Sequence, residues 1–160
     1  MADETETIPV TRIAKLSLQE QVASGGATHR FTIDKADYTW AGTGATDTVT
    51  TTLMTTTTDF LVDTAFANVT TAFTGTAGTL TVMVGTDGDP NNFIAATDCK
   101  TAGPIAPVVG ADPVTAAGTH AAAADVLTCR FTSGTTGNPA DVTAGVVDIY
   151  LGVRDCNALG

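Results

Sequence analysis

Two runs decide the fold: Val126-Leu127-Thr128-Cys129-Arg130-Phe131-Thr132 and Val147-Asp148-Ile149-Tyr150-Leu151-Gly152-Val153-Arg154. In the first, Leu127, Cys129 and Phe131 point one way, and Val126, Thr128, Arg130 and Thr132 the other. In the second, Val147, Ile149, Leu151 and Val153 oppose Asp148, Tyr150 and Arg154. A strand turns successive side chains to opposite faces, whereas a helix gathers apolar residues at spacings of three and four. Both runs therefore read as strands with one face on a core.

The same period recurs towards the amino end. Phe31 and Ile33 share a face, as do Val49, Thr51 and Leu53; Phe60 with Val62, Val69 with Phe73, and Leu80, Val82 and Val84 follow. Between the runs lie Gly- and Pro-containing stretches at 41–45, 75–78, 85–90, 103–113 and 133–139. Such frequent punctuation leaves little room for crossover helices. Residues 91–97 and the Ala-rich 120–124 are each expected to form a helical turn. The prediction is an all-β, antiparallel β-sandwich, with jelly-roll topology expected from eight or so short strands.

At 160 residues the chain suits one domain, able to bury roughly two-thirds of its unfolded surface. Residues 1–26 are read as an extended N-terminal arm or first strand, and 27–160 as the sandwich domain. Thr supplies about a fifth of the residues, and its branched side chain favours half-exposed strand positions over helices. With 17 acidic against 7 basic residues the net charge is −10, which disfavours direct nucleic-acid binding because phosphate neutralisation supplies most of that affinity. No stretch approaches the roughly 18 apolar residues of a membrane span. The opening MADETETIPV carries acid where a secretory signal carries positive charge, so synthesis in a cytoplasm is expected.

Candidate chemistry is sparse. Cys99, Cys129 and Cys156 have no Cys-x-x-Cys spacing and are expected to be free thiols, Cys129 as a small core residue. Phe131-Thr132-Ser133-Gly134-Thr135-Thr136-Gly137-Asn138-Pro139 looks like the phosphate loop of adenylate-forming ligases, but Ala140 stands where that pattern requires Lys. The loop reads instead as a Gly-rich connection between two strands. Asp87, Asp89, Asn91 and Asp98 occupy the first, third, fifth and twelfth places of a candidate calcium loop, yet Asn92 holds the place where the sharp turn needs Gly. His29 and His120 belong to no catalytic or metal motif, and no cofactor is expected. Tyr38 and Trp40 form either an aromatic platform or a core plug.

The stretches Phe60–Phe66, Thr79–Ile94 and Thr143–Asp155 together resemble small jelly-roll decoration, or cement, proteins of tailed bacteriophages. The likeness spans residues 28–155 and rests on composition and strand pattern. It implies a non-enzymatic virion protein on the capsid surface, assembled in the host cytoplasm as a homotrimer, whose partners are the major capsid protein and copies of itself. Ile8, Val10, Ile13, Leu16 and Leu18 of the leader would then bury alternate side chains against a neighbouring subunit. The alternative is a phage tail or surface module that binds carbohydrate or receptor, with Tyr38, Trp40 and residues 87–92 lining its site. Sugar binders present several rings on one face, and only 6% of this chain is aromatic.

Overall fold

The two alternating runs become the central strands of two different sheets. The computed structural model describes residues 5–9, 12–40, 44, 46–56, 60–105, 125–134 and 136–155. Among them are ten strands: β1 (Thr5–Pro9), β2 (Arg12–Lys15), β3 (His29–Asp34), β4 (Thr48–Thr55), β5 (Phe60–Gly75), β6 (Leu80–Thr86), β7 (Ile94–Asp98), β8 (Gly103–Ile105), β9 (Val126–Ser133) and β10 (Val142–Asp155). One helix, α1 (Leu18–Ala23), follows β2. One sheet has the order β1-β4-β9-β6-β7 and the other β2-β3-β10-β5-β8, so β9 and β10 each lie third of five. The architecture is an all-β sandwich.

Nearly every pairing is antiparallel; β1 alongside β4 is parallel. The chain changes sheet at each step from β3 to β6, runs β6 to β7 within one sheet, and changes sheet again at each step to β10. Apart from β2–β3 and β6–β7, neighbouring strands in each sheet are therefore distant in sequence. Core residues come from both inner faces: Leu127, Cys129 and Phe131 from β9 face the layer of Val147, Ile149 and Leu151 from β10, all fully buried. Burying one such large apolar side chain contributes about 1.5–3 kcal/mol. At the centre Phe73 of β5 and Phe131 of β9 approach to 5.3 Å between ring centroids, and Trp40 packs on both at 5.9 and 5.0 Å. Trp40 is thus a core plug, locking one sheet to the other.

Two expectations are corrected. Residues 91–97 do not form a helical turn; Ile94–Asp98 is strand β7, because Ile94 is buried opposite Val84 and the pairing with β6 satisfies its backbone. The leader is not simply an arm or one strand. It supplies the outermost strand of both sheets and then the helix. Only two residues separate β1 from β2, a reach of roughly 10 Å that matches the spacing of packed sheets, so the two edges lie on the same side of the sandwich. The expected helical turn at 120–124, with His120, lies outside the described residues, as do Val10 and Cys156.

Candidate functional site

The sequence Ser17-Leu18-Gln19-Glu20 is a capping box. The Ser17 hydroxyl accepts from the Glu20 backbone N–H, and the Glu20 carboxylate accepts from the Ser17 backbone N–H at 2.9 Å. Two otherwise orphaned donors are satisfied, which starts a helix where apolar periodicity alone does not demand one. The Ser17 backbone N–H and hydroxyl, both donating to the Glu20 carboxylate, hold that carboxyl below its ordinary pKa, the backbone bond contributing most. The chain then turns through Gly25 and Gly26, and the Thr64 hydroxyl of β5 donates to the Gly25 carbonyl at 3.4 Å. Gly152 of β10 permits this close return, since a Cβ there would lie 3.0 Å from the Gly26 carbonyl oxygen. As a result α1 lies over the outer face of the sheet that contains β10.

Beneath it opens a groove of about 430 Å³, lined on the helix side by Leu16, Glu20, Ala23 and Ser24 and on the sheet side by Arg30, Phe66, Asn68, Pro104 and Tyr150. Register explains the floor. Arg30 of β3 pairs with Tyr150 of β10, and Tyr150 pairs with Phe66 of β5, so the three stand in one row across the sheet. The Phe66 and Tyr150 rings stack at 4.6 Å and 7°. The next row is Thr32, Asp148, Asn68 and Pro104, and the Thr32 hydroxyl donates to Asp148. A second hollow of about 250 Å³, lined by Ala14, Arg30, Thr32, Val146 and Asp148, continues the groove along the sheet.

Above the groove the helix shows an apolar face to solvent. Leu18 and Val22 are each 77% exposed and Ile13 of β2 is 59% exposed, and these are the exposed large hydrophobic residues among those described. Leu18 and Val22 are four apart, on one face of α1, none of whose residues is buried. Leu16, expected to be free for a partner, is only 6% exposed. It is held in the chain's own fold by the Leu16 N–H donating to the Thr28 carbonyl and by its place under the helix. Ile8 lies in β1, in register with Thr51 of β4.

The other candidate centres are not assembled. Asp98 pairs with Thr81 at the far end of the β6–β7 hairpin, six residues of strand from Asp87, or about 20 Å. Asp87, Asp89, Asn91 and Asp98 are therefore not one calcium loop, and no group of three or more potential metal ligands occurs among the described residues. At the start of the 133–137 loop the backbone is spent on neighbours: the Ser133 N–H donates to Asp47, the Gly134 N–H donates to Thr79, and the Gly134 carbonyl accepts from Thr46. Those amides are not presented to a phosphate. Tyr38 packs against the core, and Trp40 is buried within it on Phe131, which lies four residues along β9 (about 13 Å) from Leu127, the partner of Thr86 beside the Asp87 turn. They do not share a site with residues 87–92.

Cys99 and Cys129 are free and buried. Burial, aided by Asp98, pushes the Cys99 thiol up to about 12, and burial raises Cys129 well above the ordinary range. Neither is a nucleophile at neutral pH. His29 lies in a third hollow with Met54, Phe60, Val153 and Asp155, where burial first and Lys15 second depress its pKa. The class these features define is a β-sandwich with a grooved outer sheet face and an apolar helical rim. Comparison with family models, curated proteins and solved structures gives no match.

Proposed function

We propose that this chain is a non-enzymatic virion subunit that decorates a tailed-bacteriophage capsid and stabilises it by bridging neighbouring capsid subunits. The observation that carries this reading is the leader, where Ile13, Leu18 and Val22 hold the large hydrophobic surface exposed among the described residues. A six-residue helix with Leu18 and Val22 in water is disfavoured unless a partner covers them. Leu18 and Val22 are the anchors for the major capsid protein, and Ile13 sits on the adjoining sandwich edge. Strand order supports the jelly-roll form of the fold: β3-β10-β5-β8 faces β4-β9-β6-β7, the order produced when two Greek keys are rolled into a sandwich. Self-association into a homotrimer, a closed cyclic assembly, completes the proposal.

The test is immunogold labelling of particles whose genome encodes the chain, in parallel with a Leu18→Glu/Val22→Glu double variant. Label on wild-type heads and at least about 30-fold weaker attachment of the variant, the effect of losing a hot spot, are expected. Label confined to tails, or none, overturns the reading. Equal attachment of a folded double variant overturns the role of α1.

A further inference from the structure

We infer that the groove beneath α1 is a saccharide-binding site, a property that goes beyond capsid attachment and does not depend on it. The argument begins with the row Arg30, Tyr150, Phe66 and the adjacent row Thr32, Asp148, Asn68 on one sheet face. Each row is fixed by backbone register, so these residues are brought together before any ligand arrives. Two of the nine aromatic residues of the chain stand together here, stacked and lining the groove. A groove of about 430 Å³ falls in the range of roughly 300–1,000 Å³ typical of small-molecule sites.

The polar groups select the ligand class. Arg30 and Asn68 make no side-chain hydrogen bond to the described residues, and Asp148 is oriented by the Thr32 hydroxyl. Glu20 faces Arg30 and Asn68 across the groove from the helix, its charge attracted by Arg30. An apolar ligand would strip water from Arg30 and Asp148 and return no hydrogen bond. In the groove an anion meets Glu20, with Asp148 in the adjoining hollow, and a cation meets Arg30; either is opposed by like charge. A neutral polyol fits both signs, because each hydroxyl donates and accepts. Its ring C–H face, weakly positive, lies against the negative face of an aromatic ring. These requirements together describe a sugar.

The experiment is an NMR titration of the intact, isotope-labelled chain with glucose, galactose, mannose, rhamnose and N-acetylglucosamine and their disaccharides, up to about 20 mM, enough to reveal millimolar binding. Saturable shifts centred on Arg30, Phe66, Asn68 and Tyr150 are expected for at least one sugar, and Phe66→Ala should weaken that binding roughly tenfold. Should Phe66→Ala fail to fold, Asn68→Ala, which alters only the outer face, serves in its place with the same expectation. No saturable shift with any sugar overturns the inference. So do shifts centred elsewhere, or wild-type affinity in the folded variant. The Leu18→Glu/Val22→Glu protein separates this site from the attachment reading: neither residue lines the groove, so its sugar titration should match that of the wild type.

Discussion

Thr51 shows how much a single hydroxyl matters inside this sandwich. It shares the inward face of β4 with Val49 and Leu53, is fully buried opposite Cys129, and its oxygen has no partner among the described residues. A buried hydroxyl without a hydrogen bond costs about 1–3 kcal/mol. Thr51→Val keeps the shape and removes the polar atom, so the melting temperature should rise by about 2–4 °C per kcal/mol recovered, as read by calorimetry. The alternation of Val49, Thr51 and Leu53 reveals which way Thr51 points, but no sequence pattern says whether its hydroxyl finds a partner. Cys99 makes a second residue-scale test. With its pKa pushed up to about 12, only roughly one molecule in ten thousand is thiolate at pH 8. Iodoacetamide should leave the Cys99 and Cys129 peptides unmodified in native protein and alkylate both in guanidinium, as read by peptide mass spectrometry. Native-state labelling would contradict their burial.

At the scale of elements, α1 was written in the sequence and the strand pattern hid it. Ser17-x-x-Glu20 is a helix-start signal in its own right, whereas the spacing of Ile13, Leu16 and Leu18 suits an extended chain as well as a helical one. Ser17→Ala removes the cap and should cost the helix about 1 kcal/mol. The checks are faster amide exchange over residues 18–23 and a Glu20 carboxyl that titrates closer to its ordinary value in NMR. At β7 the opposite holds. Ala95 and Ala96 suggest a helix by propensity, but pairing with β6 and burial of Ile94 outweigh a few tenths of a kcal/mol per residue. β5 appeared in sequence as two apolar runs, yet it is one 16-residue strand. It pairs with β10 through several bulges, and at one of them Gly145 has φ 148°, where a Cβ would collide with the Phe73 ring. Bulges let a long strand bend, and they break the period that sequence reading depends on.

For the whole molecule, the termini of the sandwich create a pH response. The folded protein depresses the pKa of His29 from 6.5 through burial and through Lys15; Asp155 also faces its hollow. A histidine with a lowered folded-state pKa stays neutral in the fold and takes up its proton on unfolding. Its contribution is complete above pH 6.5 and is lost as pH falls from there through the folded-state value. Melting temperature should therefore drop as pH falls below about 6.5, and His29→Gln should flatten that slope. An unchanged slope in the variant would assign the response to other groups.

The grooved face also belongs to this scale. Asp148 and Tyr150 were legible as the outward side of β10, but Arg30, Phe66 and Asn68 became their neighbours only through pairings between strands distant in the chain. What the sequence determined by itself is the local physics. Period-two alternation fixed the two central strands and their inner faces, Thr-rich composition favoured sheet, and the capping box fixed the start of α1. Tertiary structure alone decided that the leader forms two sheet edges and lies over the outer face, that Asp87 and Asp98 are parted, and that Phe66 meets Tyr150. The reason is that strand period sets which way a side chain points, while cross-strand register, a long-range choice made by packing the core, sets what it points beside.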